Sequence, residues 1–335
     1  SLPEFDFSVE EEGRRFGEWS KETYGTAESM AYETAEKTAE TLKGTAQSVV
    51  NAVQGLGAAA ADHDARTGGV DVDADAVTRA LDLDVAHAGT VELHHVVGGE
   101  VLVVAPDSEY SGAGAAIGPL HLSEPEVRSV DIDGIDAAWS VSGPPALCVM
   151  FARLGLFGDV DLVVSGINPG ANVGRSVYHS GTVGAALTAR HTNIPSLAVS
   201  QHLTGFGVEG QVWEDLIVGQ KWHVAAEVAS TIVEGLLRDD VGDSPVVNVN
   251  VPNLELDQIR GWRFTELGDQ PPRAIENIKL QPTPDERTFQ VSMSWGDENF
   301  QSPDVDAGAV MNDEISVSYL SRIVALSPPA VSTLG

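Results

Sequence analysis

Short apolar runs alternate with stretches of helical periodicity through most of this chain, and this alternation limits the folds open to it. Runs at residues 101–105, 160–164, 196–200 and 245–251 are each bounded by proline, glycine or polar residues. The run at residues 101–105 is continuous and is stopped by Pro106, which is typical of a strand that is buried on both faces of a parallel sheet. We therefore predict four buried strands.

Helical segments separate these runs, at residues 144–157, 182–190 and 222–237. The order of strands and helices predicts an α/β fold with a doubly wound, Rossmann-like and mostly parallel sheet. Residues 288–295 and 314–319 alternate between polar and apolar side chains, as antiparallel strands do. We therefore expect a C-terminal β-hairpin extension, an arm, at about residues 285–322.

The first part of the chain has a different pattern. Small apolar residues, mostly alanines, recur three or four residues apart from Ala27 through Leu42 to Ala46, with glutamates between them. This spacing predicts a long helix with a thin, mostly alanine stripe. We divide the chain into an acidic, alanine-rich helical extension and linker at residues 1–69 and an α/β domain at residues 70–335. Because alanine buries little area, we interpret the helix as a solvated extension, and a weak contact with a partner is the alternative.

Fifty acidic residues stand against nineteen basic ones, which gives a formal net charge of −31 at pH 7. Such a field repels phosphate backbones, so we expect no nucleic acid duplex as a partner. Only five of the basic residues are lysines, and the acidic residues are spread along the whole chain. This pattern is typical of a halophilic protein, whose self-repulsion is screened by salt, and the alternative is a merely acidic protein.

Membrane and disulfide classes are also excluded. No uninterrupted apolar stretch approaches the roughly 20 residues of a bilayer-spanning helix, and acids stand at the N-terminus where a secretory signal carries bases. We therefore expect a cytoplasmic protein without a membrane partner. Cys148 is the single cysteine, so any metal must be held by oxygen or imidazole ligands.

Two polar, glycine-rich loops directly follow predicted strands, at residues 106–114 and 165–174. In an open α/β sheet, ligands bind beyond the carboxyl ends of the strands. Ser111 in the first loop and Asn168 in the second offer neutral oxygens that suit a hard divalent cation. Residues of these types also form turns, which is the alternative role.

A third loop, Ser180-Gly181-Thr182, begins a predicted helix. The free N–H groups of a first helical turn, a glycine that permits close approach and two hydroxyls together make a candidate phosphate site. Such a site needs no basic side chain, which suits so acidic a chain. The alternative is simple N-capping by Ser180.

The three loops together closely resemble the SurE family of nucleotidases. The resemblance is strongest in residues 160–174 and 180–186, and residues 103–107 followed by Ser111-Gly112 look like that family's second strand and serine loop. It extends over residues 99–320. Further matching segments lie at residues 142–146, 194–200, 247–252 and 306–320.

This resemblance implies a metal-dependent phosphomonoesterase that hydrolyses nucleoside 5′- or 3′-monophosphates to nucleoside and phosphate. It implies one divalent cation, Mg²⁺ or Mn²⁺, and a homodimer or homotetramer formed through C-terminal arms. The metal ligands that it implies are Ser111 and Asn168. The phosphate contacts that it implies are Asn172, Ser180, Gly181 and Thr182. No side chain is assigned as a catalytic acid or base.

The chain departs from the family at one motif. The family begins with a hydrophobic strand that leads into Asn-Asp-Asp-Gly, whose aspartates supply most of the ligand charge, and this motif is absent from the chain. With one gap, Asp82 and Asp84 align near the missing pair, and we take them as candidate metal ligands. The alternatives are solvated surface acids, or replacement by Asp107 or another carboxylate among residues 71–84.

Without any replacement, the protein would be a catalytically impaired relative that binds nucleotide or serves as an oligomeric scaffold. This follows because neutral serine and asparagine oxygens alone hold Mg²⁺ poorly. A shifted reading frame in the N-terminal part would be a different explanation for the missing motif.

Overall fold

The computed structural model describes residues 101–122, 124–132, 135, 137–204, 217, 219–238, 246–283 and 287–321. The predicted helical extension, the linker, Asp82 and Asp84 lie outside these residues. The strands are β1 (Leu102–Pro106), β2 (Val127–Ser129), β3 (Ala137–Val141), β4 (Val163–Pro169), β5 (Ser196–Gln201), β6 (Val246–Val251), β7 (Gly261–Phe264), β8 (Arg273–Pro282), β9 (Phe289–Glu298) and β10 (Glu314–Leu320). The α-helices are α1 (Pro145–Arg153), α2 (Gly181–Arg190), α3 (Trp222–Arg238) and α4 (Asp306–Met311), and 3-10 helices lie at Gly174–Tyr178 and Leu256–Gln258.

The described strands form three sheets. The first has the order β1-β3-β2, with β1 and β3 parallel. The second has the order β4-β5-β6-β10-β7, in which β4, β5 and β6 are parallel and β10 is antiparallel to β6. The third is the antiparallel pair β8-β9. The predicted α/β class, with mostly parallel sheets and a C-terminal hairpin, is confirmed. In the described part of the chain, no helix is long and apolar enough to cross a membrane.

Helices cover both faces of the five-stranded sheet. Every residue of β5 and β6 is buried, as their apolar runs predict. Leu197 and Val199 of β5 pack in one cluster with the apolar face of α3, whereas Ala198 between them packs with Val183 and Ala186 of α2. Because side chains alternate across a strand, one short apolar run serves two cores.

β1 and β4 are edge strands of their sheets among the residues described, and both border one cavity. Consecutive residues line it on both sides, at 101–106 and at 160–173. Successive side chains of a strand point to opposite faces. A cavity that contacts every residue of a strand in turn therefore lies along the edge of that strand and not against one of its faces. We call this space between the edges of β1 and β4 the strand gap.

Two helices hold the strand gap open on one side. Helix α1 packs on β1, α2 packs on β4 and β5, and the two helices pack on each other. The prediction of one open sheet therefore differs from the structure, in which the described parallel strands form two sheets. The physical reason is that no described strand lies between β1 and β4.

The predicted arm at residues 285–322 is wrong in its pairing. β9 pairs with β8, and β10 lies between β6 and β7 in the five-stranded sheet. Although β10 alternates in sequence, Ile315, Ser316, Val317 and Ser318 are all buried, so both of its faces are covered. The sequence analysis did not predict β8, because irregular pairing near Ile275 interrupts the alternation of polar and apolar side chains that is typical of a strand. The arm consists of residues 273–298.

An ion pair joins β7 to β10 at one edge of the large sheet. Arg263 donates from Nε to Glu314 Oε2 at 2.9 Å and from Nη2 to Glu314 Oε1 at 2.8 Å. Burial, the largest single effect, raises the pKa of Glu314. The hydrogen bonds from Arg263 and Asn312 and the positive charges of Arg263 and Arg260 together outweigh burial, so the pKa is lowered. Because the folded-state pKa lies below its unfolded value, the contribution to stability is present at neutral pH and is lost as the pH falls through the folded-state pKa.

We predict that Glu314→Gln lowers the free energy of unfolding by about 1–2 kcal/mol at pH 7, since a bidentate, partly buried pair is lost. The difference from wild type should shrink as the pH is lowered through the folded-state pKa of Glu314. Chemical denaturation at several pH values measures both effects. Glu276→Gln on the exposed face of the arm is the control, and equal losses in the two variants would contradict the prediction.

Candidate functional site

The three polar loops converge at the end of the strand gap, where β1 and β4 finish. Ser111, Asn168 and Thr182 all line the same cavity, of about 1420 Å³. The Thr182 hydroxyl donates to Asn168 Oδ1 at 3.3 Å, which joins the loop after β4 to the first turn of α2. The Gly114 N–H donates to the carbonyl of His179 at 3.0 Å, which joins the loop after β1 to the same turn. The structure thus brings the predicted loops together.

Close backbone packing reinforces this convergence. A Cβ atom built on Gly184 in α2 would overlap the carbonyl group of Gly114. A Cβ atom built on Gly114, whose φ is +57°, would lie 2.8 Å from the carbonyl oxygen of Tyr178. Any side chain at either position would push the first loop away from α2. These glycines therefore set the distance between Ser111 and the first turn of the helix.

The two predicted metal ligands differ in how firmly they are held. Asn168 is half-buried, and its Nδ2 donates to the carbonyl of Gly170 at 2.6 Å, so that its Oδ1 is on the side of Thr182, from which it accepts at 3.3 Å. Ser111 is exposed, and its backbone N–H donates to Oε1 of Glu109 at 2.6 Å. Both offer hard, neutral oxygens to the cavity, as a divalent cation requires. Their role as metal ligands stays a prediction.

Carboxylate charge near these two oxygens is scarce in the described part of the chain. No group of three or more His, Cys, Asp or Glu residues there could hold a metal. Asp107 accepts hydrogen bonds from the hydroxyls of Ser108 at 3.1 Å and Tyr110 at 3.5 Å, so its carboxylate is engaged within its own loop. Glu109, which the sequence analysis did not single out, is the carboxylate bonded beside Ser111.

The predicted phosphate loop forms the start of α2. Ser180 is the N-cap, and its buried hydroxyl oxygen accepts from the N–H of Val183 at 3.1 Å. The capping role considered for Ser180 is therefore present. Gly181 and Thr182 are the first two helical residues, whose N–H groups have no acceptor within a helix. These two N–H groups are the donors available to an anion, because the Thr182 hydroxyl donates to Asn168 Oδ1 in this structure.

Asn172 anchors its loop to the core of the sheet. Its N–H donates to Asn250 Oδ1 at 2.7 Å, and its carbonyl accepts from Asn248 Nδ2 at 3.0 Å and Asn250 Nδ2 at 3.2 Å. Its own Nδ2 donates to the Ser200 hydroxyl at 2.8 Å. All four residues are buried. Asn172 also lines the cavity. Its Nδ2 has a partner inside the protein, and the phosphate contact that the resemblance implies for Asn172 stays a prediction.

Two kinds of site residue escaped the sequence analysis. Asn248 and Asn250 alternate with valines in β6, and this polar spacing in a buried strand was the available signal. His202 follows β5 at its carboxyl end and lines the cavity. Burial lowers the pKa of His202, against the opposing charges of Glu298 and Asp313, so its imidazole is neutral at pH 7.

Comparison with known proteins supports the resemblance. The family described as Survival protein SurE matches residues 82–273, more than half of the chain. The 5′-nucleotidase SurE of Haemophilus influenzae is 34% identical over 220 residues, which is 65% of this chain and 79% of that protein. The 5′/3′-nucleotidase SurE of Klebsiella pneumoniae is 36% identical over 222 residues, covering 66% and 79%. The crystal structure of the SurE protein from Aquifex aeolicus covers 68% of this chain and 86% of its own, with a TM-score of 0.53 and 29% identity.

The asparagine network predicts a strong effect of Asn250→Leu, which keeps the side-chain size. The Asn172 N–H would lose its acceptor while it remains buried, so we expect the free energy of unfolding to fall by about 2–3 kcal/mol. Denaturant titration measures the loss. Asn277→Leu on the exposed face of the arm is the matched control, and a loss no larger than the control's would show that the network does not hold this loop.

Proposed function

This chain belongs to the SurE family, and on that premise we propose that it is a divalent-metal-dependent phosphomonoesterase acting on nucleoside 5′- or 3′-monophosphates. One observation supports this most: Ser111, Asn168 and the first turn of α2 line one cavity. Oxygen ligands for a cation and N–H donors for a phosphate then lie side by side. Metal-dependent transfer of a phosphoryl group from a monoester to water uses both.

The first turn of α2 would bind the phosphate group. Gly181 and Thr182 present N–H groups at the positive end of the helix dipole. The Thr182 hydroxyl donates to Asn168 Oδ1 in this structure, and it would become a third donor to the phosphate when that oxygen binds the cation instead. The Ser180 hydroxyl caps the helix and holds this turn in place. These neutral donors stabilise the additional negative charge that builds up on the phosphoryl oxygens during transfer.

Asn168 Oδ1 and Ser111 Oγ would hold the cation. The hydrogen bond from Asn168 Nδ2 to Gly170 turns the amide oxygen away from that carbonyl, and Thr182 bridges it to the phosphate turn at 3.3 Å. When bound, a divalent cation would polarise a phosphoryl oxygen and lower the pKa of a water. Neutral oxygens suit this ion in type, but carboxylates supply much of its affinity.

We propose that Asp82 and Asp84 supply this charge. The match to the family begins at residue 82 and so includes both aspartates. The described residues hold no group of three or more His, Cys, Asp or Glu side chains that could bind a metal. Because carboxylates supply much of the affinity for a divalent cation, the proposed site needs them from another part of the chain.

A second candidate function is a catalytically impaired relative that binds nucleotide or serves as a scaffold. The scarcity of grouped carboxylates in the described residues favours it. Such a protein would keep the phosphate turn of α2, because that turn needs no metal. Its nucleotide binding would then be indifferent to divalent cations.

We further propose that a second copy of the chain covers the arm. In the register of β8 and β9, Ile278 lies opposite Met293 and Leu280 lies opposite Val291, so all four share one face. Their side chains are 54–67% exposed. An isolated two-stranded hairpin is marginally stable in water, so this apolar face requires a cover. A homodimer or homotetramer would supply it.

We predict that the purified protein releases phosphate from AMP, GMP and a chromogenic phosphate ester when Mg²⁺ or Mn²⁺ is present, and that EDTA abolishes the release. The assays should include high salt, because a net charge of −31 repels the anionic substrate until it is screened. Asp82→Asn and Asp84→Asn should each lower activity by about 100-fold, since each removes ligand charge. No EDTA-sensitive release under any of these conditions would contradict the proposal.

One control variant tests which carboxylates supply negative charge to the metal. Glu109→Gln removes one carboxylate beside Ser111 and should leave activity within about threefold of wild type. A large loss in Glu109→Gln with none in the two aspartate variants would place the metal's carboxylate in the loop after β1 instead. Calorimetry with AMP separates the second candidate function, since binding that is equal with and without Mn²⁺ would favour it.

We predict a mass of two or four chains in light scattering coupled to size-exclusion chromatography. Met293→Glu should reduce the mass towards one chain, because it places a charge in the apolar face of the arm. Ser292→Glu puts the same charge on the opposite face and should keep the assembly intact. A wild-type protein with the mass of a single chain would refute the role given to the arm.

A further inference from the structure

Asp306 is a fully buried carboxylate that the proposed chemistry does not use. It is the first residue of α4 and is 0% exposed. Its Oδ2 accepts from the N–H of Gly174 at 2.6 Å, and its Oδ1 accepts from Gly268 at 2.9 Å and Ala307 at 2.8 Å. A buried carboxylate that has no cationic side chain beside it is stabilised by hydrogen bonds, and these three backbone N–H groups supply them.

These donors belong to separate parts of the chain. Gly174 begins the 3-10 helix that connects Asn172 to the phosphate turn at Ser180. Gly268 lies just before β8, at the root of the arm. Ala307 is the next residue of α4. One side chain therefore joins the loop that carries the site to the root of the arm, across 132 and 38 positions of sequence.

The packing around this carboxylate leaves little freedom. A Cβ atom on Gly174, whose φ is +54°, would lie 2.7 Å from the carbonyl oxygen of Gly268. A Cβ atom on Gly268 would lie 3.3 Å from Asp306 Oδ1 and 2.8 Å from Gln301 Oε1. The two backbones thus touch where the carboxylate holds them.

The loop from Asn172 to Ser180 has other attachments. The asparagine network holds its start, and the Gly114–His179 hydrogen bond and the Ser180 cap hold its end. Between them, the side chain of Val177 is buried in an apolar cluster, and the Arg175–Asp269 pair at 3.2 Å is highly exposed on both sides, so this pair contributes little. The hydrogen bond from Gly174 to Asp306 is a buried polar contact of this loop with the root of the arm.

We propose that Asp306 is a positioning residue, which holds the loop between Asn172 and Ser180 so that the first turn of α2 faces the phosphate. It also links that turn to the root of the arm. The inference rests on the proposed function, because it takes phosphate as the ligand of α2. An amide cannot replace the carboxylate, since its NH₂ group would face one of the three N–H donors.

The test compares Asp306→Asn with Asp304→Asn in the full-length protein. Asp304 carries the same charge two residues earlier, but its side chain is 85% exposed and pairs with Arg263. Three quantities are measured: the affinity for inorganic phosphate by calorimetry with Mn²⁺, the KM and kcat for AMP, and hydrogen exchange in the peptide that spans residues 172–180.

In Asp306→Asn we expect about 10-fold weaker phosphate binding and a KM raised by a similar factor, with kcat changed less than about threefold. Exchange of the Gly174 amide should become faster, and Asp304→Asn should match wild type in all three measurements. A folded Asp306→Asn protein with wild-type phosphate affinity and exchange would overturn the proposal. Failure of the proposed function shows elsewhere, as a wild-type protein that hydrolyses no phosphate ester.

Gly268→Ala provides the second variant, in case Asp306→Asn does not fold. The added Cβ atom would lie 3.3 Å from Asp306 Oδ1 and would crowd the side chain of Asp306, but the carboxylate itself is kept in this variant. We expect phosphate binding to weaken and hydrogen exchange of residues 172–180 to become faster, as in Asp306→Asn, but by smaller factors. No change in either measurement would show that the root of the arm and the phosphate turn are not linked through Asp306.

Discussion

The packing of helices α1 and α2 on each other is the interaction on which the arrangement of the site depends. Helix α1 packs on β1, and α2 packs on β4 and β5. The loops that follow β1 and β4 are thereby brought to one place. Hydrogen bonds from Gly114 to His179 and from Thr182 to Asn168 then join these loops to the start of α2. The site is a consequence of this packing.

Buried polar groups then shape the loops. Asn172 is bonded through its backbone to Asn248 and Asn250, and Asp306 accepts from Gly174 and Gly268. These contacts tie loop backbone to the sheet and to the arm before any ligand is present. An arrangement that is fixed in advance needs little reorganisation when charge develops on a substrate.

The electrostatics of the site are compatible with so acidic a chain. The phosphate donors proposed here are two backbone N–H groups and the hydroxyl of Thr182, and the positive charge would come from the cation. The site therefore does not depend on lysine, of which the chain has five. Salt that screens the net charge of −31 weakens repulsion of the substrate over long distances. It affects contacts at hydrogen-bond distance much less.

Much of the fold and of the site could be predicted from short-range patterns. The apolar runs located β5 and β6 to within a residue, and the glycine-rich loops identified Ser111, Asn168 and the turn at Ser180 as neighbours in space. The pairing of β10 was beyond such patterns, because alternation does not reveal that both faces are covered. β8 was missed because a bulge near Ile275 breaks its period. The tie between Asp306 and Gly174 was also hidden, since 132 positions separate the two residues.

The proposed catalysis depends on anionic oxygens beside Asn168 and Ser111 that hold a cation there. The most direct measurement is therefore the position of a bound metal. Crystals of the full-length protein grown with Mn²⁺ and phosphate would show the ion by its anomalous scattering. We predict one peak within ligand distance of Asn168 Oδ1, Ser111 Oγ and a carboxylate oxygen of Asp82 or Asp84. A cavity that stays free of Mn²⁺, or an ion held by neither aspartate, would contradict it.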